Sequence, residues 1–207
     1  MCRLLNLPFT LIAPPPVGNW GKASTAEEQA ARDAFLAINP LGQVPLLVDP
    51  NTDDGSEMVV RDSAAIATYL ARKYGPPHWA PTEAVSAARV AQWLSYSSNE
   101  INNSLLKVRI ALLFDWSIEP LSVDGALEVS RKVLTFLDSE LSAGESKGNN
   151  WLVPGAEPTI ADVCCYPYVA YADNSSKGAI KLADYPAVSR WCTRFAQLPG
   201  YVAMPGM

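Results

Sequence analysis

Asn39-Pro40-Leu41-Gly42-Gln43-Val44-Pro45-Leu46-Leu47-Val48 is followed, after a polar stretch, by Val59-Val60-Arg61-Asp62-Ser63-Ala64-Ala65-Ile66-Ala67-Thr68-Tyr69-Leu70. The first run reads as a turn and a short apolar strand, the second as a strand leading into a helix. Asp53-Asp54-Gly55-Ser56 between them reads as the hairpin turn. Folded in this way, the two runs set a backbone edge at Val44, ahead of Pro45, beside a helix start at Asp62 and Ser63. Such a corner can hold a peptide-like anion, because an extended backbone pairs with edge amides and a helix start attracts a carboxylate. Taken alone, Asp62-Ser63 also reads as an ordinary N-cap pair.

On the N-terminal side, Phe9-Thr10-Leu11-Ile12 is a further strand candidate. Pro14-Pro15-Pro16-Val17-Gly18 breaks the pattern, and Thr25 to Leu36 is a short helix with Glu27 and Glu28 in its first turn. On the other side, Gly75-Pro76-Pro77-His78-Trp79-Ala80-Pro81 interrupts everything. The chain is therefore expected to divide into residues 1–75, a linker at 76–81 and residues 82–207. The last part is helical in texture. Thr82 to Phe114 carries Val85, Arg89, Trp93, Tyr96 and Glu100 roughly along one stripe, and Asp124 to Leu141 carries Leu127, Leu134, Leu137 and Leu141. Ser142 to Asn150 reads as a polar loop. Thr159 to Ala172 is apolar nearly all round, which marks a buried central helix, and Ala187 to Gln197 is amphipathic. Thr159-Ile160-Ala161-Asp162 has the hydroxyl and carboxylate spacing of a capping box, so its role is folding.

Of the 207 residues nearly half are apolar and 18% are charged, which excludes a disordered chain. A net charge of -5 with no Lys/Arg cluster argues against nucleic acid as partner. No uncharged apolar run approaches the ~18 residues of a membrane span, and the apolar part of Met1 to Pro8 is too short for a secretory signal. Cys2, Cys164, Cys165 and Cys192 lack metal-ligand spacing; the middle two lie in an apolar helical run and read as buried thiols of a cytoplasmic protein. The single His78 follows two prolines, which leaves metal chemistry and His-based triads without support.

With these residues in view the chain resembles the cytosolic glutathione transferase family. Phe35 to Pro45 with Asp62 to Ile66, then Thr159 to Asp162, then Tyr185-Pro186-Ala187-Val188-Ser189-Arg190-Trp191 match its pattern in order, and the likeness runs from about Arg3 to Tyr201. The resemblance implies an α/β N-terminal domain of thioredoxin-like fold, an all-helical C-terminal domain, and a homodimer. It implies glutathione as cofactor. Val44 would pair its backbone with the cysteinyl unit across a cis Val44-Pro45 bond, and Gln43 would hold the other peptide face. Asp62 would take the γ-glutamyl ammonium, and Ser63 with the helix amides its carboxylate.

One feature departs from the family pattern. Arg3 to Phe9 matches the end of a helix that, in the family, follows a first strand and the loop bearing the Ser, Tyr or Cys that steadies the thiolate. The expectation is therefore an N-terminal domain shortened by that strand, and no catalytic residue is assigned. Lys22 and Asn19, or Tyr96, Ser97, Asn99 and Glu100, are candidates to assist the thiol, and Cys2 is a weaker one. Trp93, Tyr96, Ser97 and Glu100 are the expected substrate contacts. The partner implied is a hydrophobic small-molecule electrophile, met either by conjugation or by thiolate addition, bond rotation and elimination, as in relatives serving fungal natural-product pathways. The aromatic second domain (Trp79, Trp93, Trp116) suits the second chemistry. A non-catalytic interaction module on the same fold is the competing reading.

Overall fold

The computed structural model describes residues 1–15, 23–52 and 54–203. Helix α1 (Ala26–Ile38) begins where Thr25 accepts a hydrogen bond from the Glu28 amide at 3.1 Å, while the Glu28 carboxylate accepts from the Ser24 amide at 2.6 Å. Two local caps thus start the helix, as the acidic first turn predicts. None of its residues is fully buried.

Strands β1 (Leu46–Asp49) and β2 (Met58–Arg61) pair antiparallel, with Leu46 opposite Arg61 and Asp49 opposite Met58. In their turn Asp54 accepts from Thr52 Oγ1 at 2.7 Å and from the Ser56 amide at 3.0 Å. Gly55 sits at φ +76°, where a side chain is disfavoured; Asp53 lies outside the described residues. Phe9 to Ile12 is not a strand. It is extended chain with Leu11 87% and Ile12 80% exposed, and among the described residues no strand lies beside it. An apolar run without a ladder partner gains nothing from β propensity.

Helix α2 (Ser63–Tyr74) is tied to the hairpin through buried Asp49, which accepts from Tyr69 Oη at 2.8 Å, Tyr74 Oη at 2.5 Å and Lys73 Nζ at 3.4 Å. These donors, Tyr74 first, hold the Asp49 carboxyl well below the usual carboxylate range. The stretch after Gly75 is packed rather than loose: Pro77–Trp79 forms a 3₁₀ turn, and Trp79 and Ala80 are buried.

A helical bundle follows. Helix α3 (Ala84–Tyr96) passes into a π-helical stretch, Ser97–Leu106, and then into α4 (Lys107–Phe114). Helix α5 (Val123–Glu145) outruns its expected end at Leu141, so the polar loop is correspondingly shorter. Helices α6 (Ile160–Ala170), the short α7 (Ala172–Ser175) and α8 (Pro186–Ala196) complete it. Ile101, Leu105, Leu134, Leu137, Ile160, Val188 and Trp191 are fully buried. Helix α8 has no cap of its own. Asp138 of α5 supplies one, accepting from the Ala187 and Val188 amides at 2.7 and 2.9 Å. No helix among the described residues is long and apolar enough to cross a membrane.

Candidate functional site

The register of the hairpin decides what lies beside what. Leu46 faces Arg61 at the last rung of the ladder, so Val44-Pro45 enters β1 at the same end of the hairpin at which Asp62-Ser63 leaves β2. The Val44-Pro45 bond is cis. Val44 is exposed, and among the described residues neither its amide nor its carbonyl has an intramolecular partner.

The loop behind that open edge is fastened from below. Asn39 is 1% exposed, and its Nδ2 donates to the Gln43 carbonyl at 2.5 Å while its own carbonyl accepts from the Gly42 amide at 2.9 Å. Gly42 takes φ +62° to make the turn. Arg61 Nε reaches across from β2 to the Ile38 carbonyl at 3.1 Å. The protein thereby holds residues 38–43 from within, although the buried Asn39 Oδ1 has no hydrogen-bond partner among the described residues. The outer edge at Val44 remains open.

Asp62 closes the other side of the corner. Its backbone lies at φ +73°, ψ 134°, a conformation that a non-glycine residue keeps only when its surroundings impose it, and such residues gather at ligand sites. Oδ1 accepts from the Ala64 amide at 2.9 Å and the Ala65 amide at 3.3 Å. The second carboxylate oxygen, the Ser63 hydroxyl and the Ser63 amide have no partner among the described residues. The N-cap reading of Asp62 is thus seen on one oxygen, and the other is left without a partner among the described residues. One refinement follows: two of the helix amides expected to meet a ligand carboxylate are already taken by Asp62, which leaves that task to Ser63.

The residues expected on the long helix behave differently. Trp93 is 6% exposed and its Nε1 donates to the Leu152 carbonyl at 3.0 Å; Tyr96 Oη donates to the Val133 carbonyl at 3.0 Å; Ser97 Oγ donates to the Cys164 carbonyl at 2.8 Å. Burial pushes the Tyr96 phenol up. All three turn their polar atoms inward onto backbone carbonyls of the bundle. Asn99 Nδ2 bonds back to the Ser95 carbonyl at 2.9 Å. Glu100 alone of this set is exposed with its side chain unpartnered among the described residues. Val85, placed on the same stripe, is 60% exposed. Asn19 and Lys22 lie outside the described residues. Near the corner, the Cys164 thiol is pushed up to about 12, chiefly by burial and further by the Asp62 charge, so it stays protonated at neutral pH. Asn39 and Arg61, which fasten the loop, were not singled out from sequence; a buried asparagine before Pro40 carries no local signature of its role.

The family models described as glutathione S-transferase, N-terminal domain, and glutathione S-transferase, C-terminal domain, match residues 1–73 and 120–194. Glutathione S-transferase 1 of Manduca sexta is 32% identical over 170 residues, which span 82% of this chain and 71% of that protein. The chain belongs to the glutathione S-transferase family. Its fold is accordingly the family's thioredoxin-like N-terminal domain, here with a two-stranded sheet among the described residues, followed by the helical C-terminal domain. The glutathione S-transferase-like protein tpcF of Aspergillus fumigatus is 29% identical over 174 residues, 80% of this chain and 75% of that one. A glutathione transferase family member from Pseudomonas fluorescens, solved with two glutathione bound, superposes with a TM-score of 0.74 over 96% of this chain and 82% of its own. At 20% identity that likeness shows the fold alone.

Proposed function

We propose that this chain binds glutathione in the corner formed by Gln43, Val44 and Pro45 with Asp62 and Ser63, and presents its thiol to a hydrophobic electrophile. The observation that carries the reading is the pair of unsatisfied edges at one end of the hairpin: the Val44 amide and carbonyl on one side, and the free Asp62 oxygen with the Ser63 hydroxyl on the other. A tripeptide has the matching groups, namely a central peptide unit, an ammonium and a carboxylate. Val44 would bind the cysteinyl backbone as an added strand, Asp62 the γ-glutamyl ammonium, and Ser63 the adjacent carboxylate.

Held there, the thiol is a positioned nucleophile. Conjugation to an electrophilic carbon and reversible addition that rotates a double bond both use it. A role in fungal secondary metabolism belongs to this reading, and its support is that a glutathione S-transferase-like protein of a fungus, Aspergillus fumigatus, is among the chain's relatives. Glu100, exposed on the π-helical stretch, is the residue of the expected substrate set still free to meet the electrophile. The division at residues 76–81, a cytoplasmic setting and a homodimer belong to the same reading. The test is retention on immobilised glutathione followed by calorimetry, with mass spectrometry of products to separate conjugation from isomerisation. Absence of both retention and heat rejects the reading.

A further inference from the structure

A second cleft, sharing no residue with the 39–63 corner, opens between α3, the end of α5 and the segment that leads to α6. Its volume is about 260 Å³, and its lining includes Arg89, Trp93, Glu140, Lys147, Trp151 and Leu152. This lies just below the roughly 300–1,000 Å³ of sites that take drug-sized molecules, and so suits a ligand with one ring. The apolar wall is fixed. Trp93 Nε1 is bound to the Leu152 carbonyl at 3.0 Å and Trp151 Nε1 to the Ala156 carbonyl at 3.3 Å, and both indoles are buried apart from a narrow exposed margin. Arg194 lies over the Trp151 ring at 5.8 Å and is itself bonded to Glu145, so it holds the wall in place.

The charges at the rim are another matter. Arg89, Glu140 and Lys147 are exposed, and among the described residues none forms an ion pair or a side-chain hydrogen bond. Elsewhere in the bundle some exposed charges are paired, as Lys132 is with Glu128 at 2.7 Å and Arg190 with Glu145 at 2.5 Å, whereas Glu157, Lys177 and Lys181 form no ion pair among the described residues. What sets the three rim charges apart is the cleft they share. Two cations and one carboxylate thus stand unengaged around an indole-walled recess. A ligand satisfying all of them has a carboxylate for Arg89 and Lys147, an amine for Glu140 and an aromatic ring for the wall.

We infer that this cleft is an accessory binding site for a free aromatic amino acid. It is independent of the glutathione reading. The test is calorimetric titration of the full chain with L-phenylalanine, phenylacetate and phenethylamine as separate probes. L-Phenylalanine binds most tightly, phenylacetate more weakly, and phenethylamine, which meets two cations, gives no heat. The double variant Arg89→Glu, Lys147→Glu weakens L-phenylalanine by about tenfold or more and leaves retention on immobilised glutathione unchanged. Glu140→Gln lowers L-phenylalanine to the affinity of phenylacetate without altering phenylacetate itself. The site is overturned if L-phenylalanine gives no heat, or if the double variant binds it as well as the parent. It is equally overturned if the loss of binding accompanies a change of mass in light scattering, which would make the cleft a contact between copies. Loss of glutathione retention in Asp62→Ala with L-phenylalanine binding intact separates the two sites.

Discussion

Asp62 at the start of α2 and Asp162 in the first turn of α6 do the same local job in opposite surroundings. Asp162 is 0% exposed, and its carboxylate accepts from the Thr159 amide at 2.9 Å, the Leu152 amide at 3.1 Å and Trp191 Nε1 at 2.9 Å. Burial pushes its carboxyl up while those donors oppose the shift. One side chain thereby joins the helix cap, the preceding segment and α8, and nothing is left over for a ligand. Asp62 is exposed, uses one oxygen for its cap and keeps the other free on a backbone at φ +73°. A closed cap is a device of folding. An open cap at positive φ, at the same end of the hairpin as the unpaired Val44 edge, is what the proposed recognition of glutathione requires.

The largest effect should come from closing the argument at Asp162. Asp162→Ala strands three buried donors and is expected to lower stability by about 3–5 kcal/mol in urea unfolding; a loss below about 1 kcal/mol would show that the three bonds are not the tie described. Next come the open-cap variants. Asp62→Ala and Ser63→Ala should each weaken glutathione binding by about 1–3 kcal/mol in calorimetry. Asp62→Gly should lose the ligand comparably yet keep the fold to within a few tenths of a kcal/mol, since glycine accepts both the cap and the positive φ. If Asp62→Gly instead unfolds like an Asp162 variant, the contrast fails.

A smaller change separates the loop from its foundation. Asn39→Ala removes the bond to the Gln43 carbonyl and should cost about 1 kcal/mol of stability, with weakened glutathione binding although Asn39 does not face the ligand. Unchanged affinity would mean that Val44 needs no such support. The smallest effect concerns acid. The Asp49 carboxyl is depressed in the fold, so it adds stability above the unfolded value near pH 4, and that stability is lost as pH falls toward the folded value. Asp49→Asn should flatten the stability profile below about pH 4 and leave glutathione affinity at neutral pH as it was. An unaltered acid profile would contradict the Tyr69, Tyr74 and Lys73 network.

What could be read in advance was local or register-bound. Thr159 and Asp162 are three residues apart, and their capping box is seen as expected. The hairpin from Leu46 to Arg61 followed from two short apolar runs and a turn, and with it the placing of Val44 and Ser63 at the same end of the hairpin. Non-local matters were not legible. Phe9 to Ile12 has strand composition, but a strand is made by its neighbour. Asp138 caps α8 from α5, a partner that no short pattern encodes. Apolar spacing put Trp93, Tyr96 and Ser97 on a helix, yet it could not show that their polar atoms meet the carbonyls of Leu152, Val133 and Cys164. The π-helical stretch from Ser97 to Leu106 keeps a nearly helical period, so periodicity alone did not reveal it.

The most direct measurement is a crystal structure of the chain soaked with glutathione. The account predicts the cysteinyl unit paired with the Val44 amide and carbonyl, the γ-glutamyl ammonium on Asp62 and its carboxylate on Ser63. Glutathione bound elsewhere, or a corner left empty at saturating concentration, would contradict it.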